Sequence, residues 1–362
     1  MWNLMSCTVT VILAIALVIA LYEVVVYFII RHPAMLRKCS RKIQNTIGHL
    51  YATGERSIMQ YQPGCGRHDA ELGYTLNPGS FRFSGIEFDN IYRINRLGVR
   101  DDEVSLDRPD IIVAGDSYAT GWGADQEHTF AKRLETQTGY RVLNMAVPSY
   151  GTVREMMMLR KVKTDCLRYL IIQYCDDDYD ENRRYFLNNN TLHTMRAETF
   201  RRLVALHSRP QRYFFGKYVL LKLKKRIDEF SQKKNGVPVP PEVDATDLFI
   251  NAVMSNKDIL EHVTIIVFEM NGKNQVNGFT TALRRKIASR TYPGFIKNMI
   301  VLDMSQVLRD IHFYVLDDHL TNTGHAVVAG ELLKVVRKSD ASRDLHGSPH
   351  GPSQSPVSRG ID

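Results

Sequence analysis

Cysteine is scarce and poorly spaced for metal or redox chemistry. The five cysteines, Cys7, Cys39, Cys65, Cys166 and Cys175, form no C-x-x-C pair, so neither a zinc site nor a dithiol centre is indicated. Their odd number argues against a complete set of internal disulfides. Net charge is also scarce over most of the chain. The formal total is +8, yet residues 201–234 alone carry eleven Lys and Arg against two acids. The remainder is close to neutral, so a general nucleic-acid-binding surface is not indicated. There is no internal repeat. Finally, no Lys or Arg precedes the first long apolar run, which therefore lacks the basic start of a cleaved signal peptide.

That run, residues 8–30, holds a single charge, Glu23, and is long enough to cross a bilayer as a helix. It reads as an uncleaved transmembrane anchor, with a buried core helix as the alternative. Glu23 is expected near the helix end or against a partner, because an acid at mid-bilayer is costly. Arg31, Arg37, Lys38, Arg41 and Lys42 follow the run. By the positive-inside rule they would keep the bulk of the chain in the cytoplasm. Residues 31–105 divide into a basic, partly helical stem and, from residue 61, a turn-rich stretch with short alternating runs. The latter reads as a β-rich lead-in that covers a sheet edge or one side of a cleft.

From residue 110 apolar strands alternate with amphipathic helices. Strands are expected at 110–114, 141–147, 169–174, 263–268 and 299–303, and helices at 129–136, 153–163 and 321–337. This pattern predicts an α/β domain over 106–338, a five-stranded parallel sheet doubly wound with helices on both faces. More than eighty residues separate the third and fourth strands, far more than a crossover needs. They give a helical insertion over 180–255 that carries the basic cluster. Leu220, Leu223, Ile227 and Phe230 share one helical face there. The segment reads as a helix packed on the domain with a solvated basic face, or as a lid, a membrane-surface helix or a partner site. Residues 339–362, rich in Ser, Pro, Gly and His, read as a disordered tail. Its His346 and His350 are better explained by solvation than by metal binding.

Candidate chemistry gathers at strand ends, where open α/β sheets place their sites. The first strand runs into Gly115, Asp116 and Ser117, which puts Ser117 at the mouth of a helix. There it is either an exposed nucleophile whose own N–H faces an oxyanion, or a plain N-cap. Further loops follow the next two strands, at 148–151 and 176–178. Asp317 and His319, two residues apart, precede the last helix. A serine needs a base to take its proton and a carboxylate to hold that base, and Ser117, His319 and Asp317 fit those roles. Asp317, Asp318 and Thr321 also fit a turn with an N-cap, and His325 faces either solvent or core.

Over residues 75–337 the chain resembles the SGNH (GDSL-like) hydrolases. Gly115-Asp116-Ser117 is similar to the element that carries the nucleophile, residues 144–152 to the second element, and residues 173–182 to the third. Asp317-Asp318-His319, with Asn322, Gly324 and His325, is similar to the Asp-x-His of one branch. Residues 94–103 look like the lead-in of membrane-anchored or exported members. The resemblance implies a flavodoxin-like fold and a Ser117–His319–Asp317 triad. It also implies an oxyanion hole from the N–H groups of Ser117 and Ser149 together with residue 177. No metal or organic cofactor is implied. Two positions depart from the family pattern. Ser149 stands where Gly is usual, a small change if its φ is negative. Asp177 stands where an Asn usually donates, and a carboxyl group donates only while burial and neighbours Asp176 and Asp178 keep it protonated.

The expected function is that of a single-pass membrane-anchored esterase acting on acyl esters, of a carbohydrate or a lipid. Transfer of an acyl group to a cell-envelope polysaccharide uses the same triad. A catalytically weak glycan- or partner-binding module is the reading from another class. The resemblance favours an exported catalytic domain, against the charge of the stem.

Overall fold

A computed structural model describes residues 2–209, 212–234, 243–273 and 277–345. The chain opens with α1 (Trp2–Arg31), a 30-residue helix. It is long and apolar enough over Cys7–Arg31 to cross a membrane, with a mean hydropathy of 2.8. Its side chains from Cys7 to Leu21 are mostly exposed, whereas Val26 and Ile30 are buried against Leu36, Ile47 and Leu50. The last two turns are therefore part of a protein core. Helix α2 (Arg41–Gly54) supplies Ile47 and Leu50. Two antiparallel pairs follow, β1 (Gly66–Asp69) with β2 (Gly73–Leu76) and β3 (Gly79–Ser84) with β4 (Asp89–Ile94). On β4 the burial alternates strictly, with Tyr92 and Ile94 inward, as the two-residue period of a strand requires.

Strand β5 (Ile111–Ala114) starts the main sheet. After it come α3 (Ser117–Thr120), α4 (Phe130–Thr138), β6 (Val142–Asn144), α5 (Thr152–Leu159) and β7 (Tyr169–Tyr174). Four helices, α6 (Asp178–Leu187), α7 (Ala197–His207), α8 (Lys217–Lys234) and α9 (Ala245–Met254), then fill the long connection. The chain closes with α10 (Lys257–Leu260), β8 (Thr264–Glu269), α11 (Phe279–Ser289), α12 (Gly294–Lys297), β9 (Ile300–Leu302) and α13 (Asn322–Leu345).

The sheet order is β6-β5-β7-β8-β9, and every neighbouring pair is parallel. The fold is thus α/β with five parallel strands. Successive side chains of β5 feed opposite cores. Ile112 and Ala114 join Met156, Leu159, Phe249 and Leu283 on one face. Ile111 and Val113 join Phe130, Leu134, Val328 and Leu332 on the other. Both faces are covered, which is why these strands are continuous apolar runs with no polar alternation.

One boundary differs from expectation. The last helix continues to Leu345, past residue 337, so the expected tail does not start at 339. The cause is Asp340, which accepts from Tyr169 Oη at 2.6 Å, Tyr140 Oη at 2.9 Å and Arg168 at 3.0 Å. A polar local composition hid these tertiary ties. His346, His350 and the rest of the tail lie outside the described residues, and so does the Phe230 side chain.

Candidate active site

The site forms where β5, β6 and β7 end. Gly115 is fixed by crowding, since a Cβ there would meet Ala119 Cβ and Gln173 Oε1 at 2.7 Å. Asp116 caps α3 by accepting the Tyr118 N–H at 2.9 Å. That leaves Ser117 as the first residue of the helix, half-buried, with Asp116 and not Ser117 in the N-cap role. Burial pushes the Asp116 carboxyl up to about 6, against the opposing pull of the Tyr118 N–H and of His319.

A hydrogen-bonded line runs through the other two residues. Ser117 Oγ lies 2.7 Å from His319 Nε2 across 202 residues of sequence. His319 Nδ1 lies 2.7 Å from Asp317 Oδ1. The order of contacts makes Nδ1 the donor to Asp317 and leaves Nε2 as acceptor for the serine hydroxyl. His319 is buried, stacked on Trp122 at 5.2 Å and tilted against Tyr118 at 4.8 Å. Its ring is held by aromatic contacts as well as by hydrogen bonds.

Two supports come from segments that gave no sign of them in the sequence. Tyr51 of α2 donates to Asp317 Oδ2 at 3.1 Å. Burial first, and the Asp317 charge second, hold this phenol well above its ordinary pKa, so it remains a donor. Glu87, in the turn between β3 and β4, accepts the backbone N–H groups of Val315, Leu316 and Asp317 at 2.8, 2.7 and 3.0 Å. It fixes the loop from which Asp317 and His319 project. Asp318 between them takes a φ of 69°, which allows the carboxylate and imidazole on either side to converge. The 94–103 stretch grips the loop after the nucleophile. Buried Arg100 donates to the carbonyls of Gly121 and Ala124, and Asp101 accepts the Asn144 N–H at 2.7 Å.

The three oxyanion candidates fare differently. The N–H groups of Ser117 and Ser149 have no acceptor among the described residues. Ser149 does not have the negative φ that would make its replacement of glycine inexpensive. Its φ is 62°, a left-handed conformation that costs a non-glycine residue roughly 1–2 kcal/mol. Gln60 Nε2 donates to its Oγ at 3.2 Å and Arg154 donates to its carbonyl, which holds the strained residue in place. Asp177 is exposed at the start of α6. Its charge acts on Asp116, but no hydrogen bond joins it to Ser117 or His319 among the described residues. Its neighbour Asp178 is buried and accepts the Thr152 hydroxyl at 2.8 Å. Burial drives Asp178 and buried Glu155 well above the ordinary carboxyl range, each also raised by nearby carboxylates. His325 is a core residue. It accepts the Phe130 N–H at 3.2 Å, and burial pushes it down to about 3.

Two cavities take wall residues from the loops that carry these groups. One of about 200 Å³ includes Tyr61, Tyr74, Ser149, Arg154 and Glu181 in its wall. Another of about 230 Å³ is bounded by His49, Arg56, Lys273, Leu316 and Asp318. No group of three or more His, Cys, Asp or Glu able to hold a metal ion occurs among the described residues.

No family model matches the chain, and no curated protein matches it. Among solved structures it is similar to a lipolytic protein of the G-D-S-L family from Desulfitobacterium hafniense, with a TM-score of 0.35, 15% identity, and coverage of 61% of this chain and 96% of that one. It is also similar to a carbohydrate esterase whose active site displays divergent catalytic and non-catalytic binding functions, with a TM-score of 0.36, 10% identity and coverage of 64% and 69%. A third likeness is to a carbohydrate esterase family 2 enzyme with a carbohydrate-binding domain from Myceliophthora fergusii, with a TM-score of 0.38, 11% identity and coverage of 64% and 66%. Likenesses of this strength add nothing to the geometry of the site.

Proposed function

We propose that the chain is an SGNH-type serine esterase held to a membrane by α1. The observation that carries this reading is the continuous line from Asp317 through His319 to Ser117, with both hydrogen bonds at 2.7 Å. Its members come from loops far apart in sequence, and each ring nitrogen of His319 has the partner that base catalysis needs.

In this reading Ser117 Oγ attacks the acyl carbonyl and forms the C–O bond as its proton passes to His319 Nε2. Asp317 orients the ring and stabilises the imidazolium. The carbonyl oxygen becomes an oxyanion facing the N–H groups of Ser117 and Ser149. His319 then gives its proton to the departing alcohol oxygen, and the ester C–O bond breaks. Water, activated by the same histidine, releases the acid and frees Ser117. An acceptor alcohol in place of water makes the same site an acyltransferase. The substrate is an acyl ester of a carbohydrate or a lipid, and the catalytic domain lies on the exported side. The line uses no metal or organic cofactor.

Asp177 supports a second reading, a site that binds an ester or glycan and turns it over poorly. A carboxyl group at the oxyanion position offers no N–H, and loss of one such donor costs about a hundredfold to a thousandfold in rate. Steady-state hydrolysis of p-nitrophenyl acetate separates the readings. The esterase reading expects turnover by the purified protein that Ser117→Ala abolishes with the thermal melt unchanged. Equal turnover by both proteins would remove Ser117 from the nucleophile role.

A further inference from the structure

The one acid in the apolar run, Glu23, is completely buried. It accepts the Val219 N–H at 2.9 Å and the Tyr213 hydroxyl at 3.2 Å, the first in the opening turn of α8 and the second just before it. Farther along, Lys222 lies over the Tyr22 ring at 5.5 Å. Leu223 and Arg226 share a cavity of about 340 Å³ with Val18 and Ile19 of α1. Helix α8 and the residues just before it therefore touch α1 between Val18 and Glu23. Glu23 also marks a change along α1 itself. On its N-terminal side Leu17, Val18 and Leu21 are 71%, 67% and 65% exposed; on its C-terminal side Val26 and Ile30 are buried while Val24, Val25 and Phe28 remain exposed. Helix α8 sits at the level where one face of α1 becomes buried.

Its free face has a definite pattern. Leu220, Leu223 and Ile227, at i, i+3 and i+7, form one stripe, and they are 54%, 48% and 65% exposed. Phe214 and Phe215 extend it just before the helix, also exposed. The stripe lines a groove of about 700 Å³ between α8 and α2. Lys224 and Arg226 flank it, Lys222 and Lys225 occupy the far side of the helix at about 100° per residue, and no acid occurs from Lys217 to Ile227. No ion pair engages these four cations among the described residues. An apolar stripe backed by cations is the composition of a helix lying in a lipid headgroup layer.

We propose that α8 is a membrane-surface helix. Leu220, Leu223, Ile227 and Phe214 enter the acyl boundary of the leaflet that α1 leaves. Lys222, Lys224, Lys225 and Arg226 meet its anionic phospholipid headgroups. An anionic leaflet is favoured over a second copy of the chain, because two such sets of four cations would repel each other. The proposal rests on α1 spanning a bilayer, and not on the esterase chemistry. The surface helix also reaches the site, since α2 packs on α8 and carries Tyr51, the donor to Asp317. A Cβ added to Gly54 of α2 would lie 2.6 Å from Leu221 Cδ1, so the two helices are in close contact.

Hydrogen–deuterium exchange of the full chain in lipid nanodiscs tests this. The discs are phosphatidylcholine alone, or the same lipid with about 30% phosphatidylglycerol, enough to give the surface a negative potential. Residues 8–22 should be protected in both. Residues 213–227 should exchange roughly fivefold or more slowly in the anionic discs, a difference that about 1 M salt removes by screening. Replacing the four cations with Gln should abolish the difference and leave exchange in the main sheet unchanged. Equal exchange of 213–227 in the two discs would overturn the surface helix. So would protection that grows with the number of chains per disc, which would show a second copy. Unprotected residues 8–22 would instead remove the spanning helix, and the surface helix with it.

Discussion

Asp177 tests the oxyanion part of the proposed site. It lies just after β7 with its side chain exposed, where the proposed esterase would place a donor amide. Asp177→Asn supplies an N–H with almost no change of shape. It is expected to raise kcat about tenfold or more, from what single oxyanion donors contribute. Steady-state kinetics on one small ester, wild type against variant, checks this, and an unchanged kcat would show that residue 177 points away from the oxyanion. His325 governs the acid limit of stability. Unfolded chains protonate histidine near 6.5, but burial in the core keeps His325 neutral down to about 3. The unfolded state therefore gains protons first, and stability is lost as pH falls from 6.5 toward 3. A tenfold difference in proton affinity between the folded and unfolded states is worth about 1.4 kcal/mol, so the loss amounts to a few kcal/mol. His325→Gln keeps an acceptor for the Phe130 N–H and removes the titration, and thermal melts from pH 7 to pH 4 should fall less steeply. Buried Asp101, pushed up to about 7, acts in the opposite sense, since its unfolded form ionises first as pH rises from about 4. At this scale the sequence proposes Ser117, Asp317 and His319 by residue type and spacing, and the structure brings the three side chains within hydrogen-bond distance. It does not reveal the φ of Ser149, which depends on Gln60 and Arg154, nor the burial of His325, which depends on Phe130.

Among the elements, the main sheet is the most legible part. Its strands are buried on both faces, so they appear as uninterrupted apolar runs such as Ile111–Ala114 and Tyr169–Tyr174. The alternation of strand and helix does the rest. Helix α2 and the β3–β4 turn are far less legible in function. Tyr51 reaches Asp317 across 266 positions, and Glu87 binds the 315–317 backbone across a similar span. No local periodicity reports contacts at that distance. The same holds for the last turns of α13, which look like a polar tail until Asp340 meets Tyr140 and Tyr169. Tyr51→Phe tests whether α2 is part of the site. Removing a hydrogen bond to a charged group is worth about 1.5–3 kcal/mol. The variant should fold, keep its KM and lose about tenfold in kcat. A kcat equal to that of wild type would leave α2 as a structural prop only.

For the molecule as a whole, the surplus of cations in residues 201–234 has a place in the fold. Lys217 pairs with Glu55 at 2.9 Å, while Lys222 and Arg226 stand beside α1. Two of the cations thus stand where α8 meets the apolar helix, which composition alone could not distinguish from a solvated face. Tyr51 of α2, Glu87 of the β3–β4 turn and Ser117 after β5 likewise meet around Asp317 and His319. The central claim is that this convergence makes Ser117 a nucleophile. Incubating the full-length protein in proteoliposomes with a fluorophosphonate, followed by peptide mass spectrometry, tests it most directly. One phosphonyl group is expected on Ser117, absent from Ser117→Ala and strongly slowed in His319→Ala. No adduct, or an adduct on another residue that persists in Ser117→Ala, would contradict it.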